Sequence, residues 1–153
     1  MSFLEHSGRV PLIVAAPGVR AQTWNAPCSL VDLTPTFRDV AGCAEEPGMP
    51  LDRVSLWPTL ASGAPSQTEA IAEYCVEMTP GVPVFMIRRG QFKYLHCDLD
   101  PPQLYDVDAD PMERTNLAGD PADTDVASAF AREAAERWNS ETIMQDVLAS
   151  QKR

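Results

Sequence analysis

Residues 103–121 read QLYDVDADPMERTNLAGDP, and the reading of its acids decides what kind of chain this is. Four aspartates, one glutamate and one asparagine stand among two prolines, a composition that suggests a calcium loop. A loop of the EF-hand kind needs oxygen ligands at alternate positions, a glycine at the sixth and a bidentate glutamate at the twelfth. Counted from Asp106, the sixth position is Pro111 and the twelfth is Leu117, so that register fails. The acids need another explanation, and the rest of the chain supplies its context.

The 153 residues are about one domain in length, and 44% hydrophobic content is enough for an ordinary core. A net charge of -10 with only 12 Lys and Arg argues against a sequence-independent grip on phosphates, so nucleic acid is not an expected partner. Cys28, Cys43, Cys75 and Cys97 form no CxxC pair and have no histidines at zinc-finger spacing. Free thiols in a reducing cytoplasm are expected. Val10 to Val19, the longest apolar run, is broken by Pro11, Pro17 and Gly18, and suits neither a signal peptide nor a membrane span. Nucleotide-phosphate loops and a GxSxG elbow are absent from the sequence. Trp24, Trp57 and Trp138 show no box-like spacing and are expected to pack.

VPLIVAAPG, closed by Pro17-Gly18, reads as a parallel strand buried on both faces. In the following APCSLVDLTPTFRDVAG, Ser29 is placed to cap a helix whose apolar face carries Leu30, Leu33, Phe37, Val40 and Ala41. Pro35 marks a second helix start and Gly42 the stop. Residues 43–53 read as a loop and SLWPTLASG as a short helix ended by Gly63. After Ser66 the texture changes to EAIAEYCVEM, then VFMIRRGQFKYLHC around a glycine turn, then QLYDV, a succession that predicts an antiparallel sheet. Val126, Phe130, Ala134 and Trp138 give a helix one apolar face against that sheet. SETIMQDVLASQKR predicts a last helix starting from Ser140 with an imperfect capping box, burying Ile143, Val147 and Leu148. The divisions expected are 1–65, 66–139 and a helical tail at 140–153. A parallel strand needs neighbours and crossovers that the remainder does not supply, so the chain reads as part of a larger fold, its strand flanks open to association.

EHSGRVPLIVAAPG, SLVDLTPTFRDVAG, MIRRGQFKYLHC and QLYDVDADPMERTNLAGDP, in that order, resemble the C-terminal half of type I sulfatases of the alkaline-phosphatase-like superfamily. EYCVEMTPGVPVFMIRRG and the RWN and VLASQ segments are most similar to choline sulfatases. The resemblance implies an α/β fold: an edge strand and helices of the large domain, then a small antiparallel sheet with a packed C-terminal helix. It implies a parent enzyme hydrolysing choline sulfate, a small sulfate ester, to choline and sulfate. The family's formylglycine arises in a CxPSR or SxPSR sequence and works with a divalent cation, calcium or similar. CSLVD, CAEEP, CVEMT and CDLDP lack that sequence, so no catalytic residue and no metal ligand is expected here and the isolated chain should be inactive. The sulfate-contacting lysine would fall just before Met1 and an oligomer-forming tail beyond Arg153, leaving both a missing N-terminal portion and a homo-oligomer as expectations.

The resemblance puts the choline-facing acid at Glu77, although Met78 stands where the family more often has glycine. A quaternary ammonium has no hydrogen to donate and is held by carboxylate charge and aromatic faces. Glu5 and His6 lie near the place of the missing lysine and are the other candidate substrate-side residues, with Glu5 also expected to pair with Arg9. In the 103–121 stretch the resemblance makes the acids turn-formers: a strand ends, Asp110-Pro111 turns, Glu113 and Asn116 satisfy nearby backbone groups and Leu117 points inward. A non-catalytic assembly subunit or remnant, and a piece of an arylsulfatase or phosphonate hydrolase, remain as alternatives.

Overall fold

The computed structural model describes residues 3–43, 51, 53–63, 68–75 and 82–150. They form two compact units, one of Met1–Val10 with Ile71–Arg153 and one of Pro11–Ala70. The first holds the short helix α1 (Glu5–Gly8), strands β2 (Val84–Arg89), β3 (Phe92–Cys97) and β4 (Asp100–Asp106), and helices α4 (Thr124–Arg137) and α5 (Ser140–Ser150). The second holds α2 (Leu33–Val40) and α3 (Trp57–Ser62), and β1 (Glu69–Tyr74) begins at its end.

The strands lie in chain order, β1-β2-β3-β4, with β2–β3 and β3–β4 antiparallel. Gly90, at φ 56°, takes the first place of the two-residue turn between β2 and β3, a conformation open to glycine at little cost. The register Ile87↔Tyr94↔Leu104 then puts alternate apolar side chains on one face. There Phe85, Ile87, Tyr94 and Leu104 pack against Phe130, Ala134 and Trp138 of the helical side. Phe85 stacks on Trp138 at 4.5 Å between ring centroids, and Tyr94 on Phe130 at 5.6 Å. The predicted apolar face of α4 is thus the face that closes the core. On the opposite side Leu95, Tyr105 and Val107 are covered by Phe3, Leu4 and Met86. The sheet is buried on both faces, one by helices and the other by the first residues of the chain.

α5 starts one residue earlier in its capping than the serine pattern predicts: the Asn139 carboxamide oxygen accepts from Thr142 N at 2.9 Å. Ile143 reaches the core, whereas Leu148 is 51% exposed. No helix among the described residues is long and apolar enough to cross a membrane.

In the second unit Ser29 and Asp32 form a capping box that opens a 3-10 turn, Leu30–Asp32, running directly into α2. Pro35 sits in the first turn of α2, and Gly42, at φ 63°, follows its end. This helix buries Pro35 and Thr36, and not the apolar face expected. Asp32 is fully buried, with Arg53 Nε donating to its carboxylate at 3.0 Å. The Thr36 hydroxyl donates to Asp32 O and accepts from Leu56 N, and Arg53 also donates to Glu69 O. Leu30, Phe37 and Val40 face solvent. The run Val10–Ala16 is likewise not a strand, and Ile13 is 92% exposed. A strand exists through ladder hydrogen bonds to a neighbour, and no described segment pairs with this one.

Candidate functional site

The 103–121 stretch folds as a succession of turns held by its own side chains. Asp106 accepts from the amides of Asp108 and Ala109, and Asp110 from those of Arg114 and Thr115. Asn116 Oδ1 accepts from Leu104 N and Ala118 N, while its amide donates to Pro102 O. Leu117 N donates to Leu104 O, and its side chain joins the core beneath α4. Asp106 and Asp110 are therefore spent on backbone amides close in sequence, and Asp120 caps the 3-10 turn Pro121–Asp123, the turn-forming role the resemblance implied for the acids; the fourth aspartate, Asp108, instead lies 3.8 Å from Arg88.

Glu113 behaves differently. It is buried, at φ 51°, and one carboxylate oxygen accepts from Glu5 N at 2.5 Å across 108 residues of sequence. Its other oxygen lies 2.8 Å from Lys93 Nζ, an ion-pair contact without hydrogen-bond alignment. Lys93, only 2% exposed, also reaches Glu5 Oε1 at 2.5 Å and donates to Phe3 O at 2.9 Å. The expected Glu5–Arg9 pair exists only at 3.9 Å, with Arg9 largely in solvent, so Lys93 is the main partner of Glu5. Arg88, paired with Lys93 in the ladder, lies in the field of Glu5 and Asp108, and burial lowers its pKa.

Of the three candidate substrate-side residues, Glu5 and His6 are adjacent on α1, and Glu77 lies outside the described residues. Glu5 is engaged through both its amide and its carboxylate; His6 is exposed. His96 meets Asp98 at 3.1 Å and stacks on Phe85, as a scaffold histidine does. Sequence reasoning did not single out Lys93 as a site residue.

Other chemistry in the described residues is limited. All four cysteines are free. Burial pushes up the thiols of Cys28 and Cys75, aided by Asp32 and Glu73 respectively, which leaves less of the reactive thiolate. Among the described residues no three His, Cys, Asp or Glu side chains come together to hold a metal ion. Glu133 is held down to about 2 by hydrogen bonds from Arg89 first and then Arg137, against the opposing effect of partial burial. It ties β2 to α4, with Arg89 forming two bonds of 2.7 Å.

Residues 2–139 match the family described as N-sulphoglucosamine sulphohydrolase, C-terminal. The chain is 40% identical to the choline-sulfatase of Rhizobium meliloti, over all of this chain and 30% of that protein. It is 35% identical to a delta 4,5-hexuronate-2-O-sulfatase of Bacteroides thetaiotaomicron, over 79% of this chain and 26% of the other. A putative sulfatase of the same organism, solved by crystallography, superposes with a TM-score of 0.67 at 28% identity, covering 89% of this chain and 30% of that one. The chain thus spans less than a third of the length of these relatives.

Proposed function

Because the chain belongs to the C-terminal N-sulphoglucosamine sulphohydrolase family, and so to the sulfatases, we propose that it is the C-terminal portion of an enzyme hydrolysing choline sulfate to choline and sulfate. The observation that carries this reading is the 40% identity to a choline-sulfatase over the entire chain. Glu77 is the residue proposed to face the choline ammonium, which offers no N–H to a hydrogen-bond acceptor and responds to negative charge instead. Glu5 and His6 stand on the substrate side, Glu5 as the buttress of its turn and His6 as the exposed group. The exposed apolar residues of the second unit are where the remainder of such an enzyme would pack.

The parent family implies a divalent cation and a formylglycine. The residues here do not fit either group: the cysteines lie outside a CxPSR sequence, and among the described residues no three His, Cys, Asp or Glu side chains come together to hold an ion. No step through a metal or a formylglycine is assigned to this chain, and alone it is proposed to be inactive. A reducing cytoplasm suits its four free thiols.

The test compares sulfate release by the 153-residue chain with release by the longest in-frame product of the coding region that contains it. Choline sulfate, an aryl sulfate, a 2-O-sulfated unsaturated hexuronate and a phosphonate monoester serve as substrates. Preference for choline sulfate in the longer product and no release by the chain alone are expected. Preference for another ester would overturn the substrate, and release by the chain above a heat-killed control would overturn its inactivity.

A further inference from the structure

We infer that Lys93 and Glu113 are positioning residues, which fix the backbone of residues 3–5 against the sheet and thereby fix the place of His6. α1 has four residues and buries none of them, so it has no means of holding itself in place. Phe3 and Leu4 do contact the Leu95, Tyr105 and Val107 cluster, but apolar adhesion is non-directional and does not choose one seating.

Direction comes from the charged groups. Lys93 Nζ meets three oxygens, those of Phe3, Glu5 and Glu113, at 2.9, 2.5 and 2.8 Å. Glu113 takes the Glu5 amide on its second oxygen. Residue 5 is thus held by its amide and its side chain, and residue 3 by its carbonyl, from positions 90 and 108 residues away. Glu113 is the one described non-glycine residue with a positive φ. Strain of that kind persists where the surroundings demand a particular side chain, and here the demand is a carboxylate aimed at Glu5 N of α1 and Lys93 Nζ of β3. Arg88, from the neighbouring strand, and Arg9 offset the second carboxylate.

His6 follows Glu5 directly and takes no part in these contacts. A side chain left exposed on a backbone pinned from both sides is how a rigid support presents a group to a ligand. Any consequence for a sulfate ester rests on the function proposed above; the pinning itself does not.

The experiment is hydrogen exchange on the full 153-residue chain, comparing wild type with Lys93→Met, Glu113→Gln and the triple variant Glu5→Gln/Lys93→Met/Glu113→Gln. The triple variant removes both carboxylates together with the ammonium and leaves Arg88 with Asp108 at 3.8 Å, so its melting temperature should recover part of what Lys93→Met loses. Its Glu5, Ser7, Gly8 and Arg9 amides should still exchange about tenfold or more faster, the loss expected of one charge-assisted hydrogen bond, with β3 and β4 unchanged. The His6 imidazole resonance should move toward its unfolded position in the same variant. If Lys93→Met does not fold, Glu113→Gln and the triple variant carry the test. Retained protection at residues 5–9 in the triple variant would overturn the inference, since Phe3 and Leu4 would then suffice. So would equal loss across the sheet, which would make the three charges a general stabiliser. No substrate is used, so failure of the choline sulfate reading leaves this result intact.

Discussion

Phe85 and Phe37 are the same side chain in opposite circumstances. Phe85, on β2, is fully buried, stacked on Trp138 and enclosed by Ile87, Leu104 and Ala134. Phe37, on α2, is 67% exposed, beside the likewise exposed Leu30 and Val40. The difference extends through their units. The unit of the sheet has apolar residues inside on both faces of its strands. In the other unit, the buried positions of α2 and its surroundings include Asp32, Thr36 and Thr59, held by Arg53 and by backbone hydrogen bonds. One unit closes its own core, and the other is tied together by polar groups while its apolar surface stays open.

Paired truncations, one in each unit, put that contrast to its hardest test. Phe85→Ala removes a fully buried ring and leaves a cavity under Trp138, a change that typically costs about 3–5 kcal/mol. Asp32→Ala leaves the Arg53 guanidinium, 15% exposed, without its closest carboxylate; breaking a buried pair costs about 3–5 kcal/mol, reduced here because Glu69 stays 3.9 Å away. Urea midpoints followed at Trp138 and at Trp57 report on the two units. An Asp32→Ala loss below about 1 kcal/mol would mean that the polar interior is not what holds the second unit.

A smaller effect concerns how the sheet keeps its helix. Glu133 has a folded pKa of about 2, against an ordinary value of 4.5, chiefly through hydrogen bonds from Arg89. Its contribution is complete above pH 4.5, declines as pH falls from there to about 2 and is absent below that. Because both arginines are partly in solvent, a discounted value of about 1–2 kcal/mol is expected. Glu133→Gln should therefore lower stability by that amount at neutral pH and match the wild type near pH 2. A constant difference at every pH would assign the effect to packing and not to charge.

Features written within a few residues of one another were legible in the sequence. The hairpin around Gly90 and the α4 face of Phe130, Ala134 and Trp138 depend on local spacing, and the structure has them; the turn-forming role of acids such as Asp106 and Asp110 came from the family resemblance, and the structure has that too. Val10–Ala16 was misleading because burial of a strand belongs to its neighbours, and the run itself carries no record of whether they are present. The Phe37 face failed for the same reason. Lys93 left a trace that could have been followed: alternation puts it on the same face as Leu95, and an inward lysine beside an apolar neighbour calls for buried partners. The identity of those partners, Glu5 and Glu113, could not be read from spacing, since they lie on either side of Lys93 in sequence and far from it. Glu77 rests on the family resemblance alone, as it lies outside the described residues.

The smallest expected effect tests the open side of the comparison. Phe37→Ser removes a ring that is mostly in water already, so the monomer should change by no more than about 0.5 kcal/mol. Serine and phenylalanine have about the same helix propensity, so α2 itself should hold. What should change is association: Phe37, Leu30 and Val40 form an apolar surface that other chains can cover, and sedimentation should show the variant less self-associated at high concentration. A loss of about 2 kcal/mol or more that is independent of concentration would instead place Phe37 inside the chain's own fold, and the two phenylalanines would no longer be opposites.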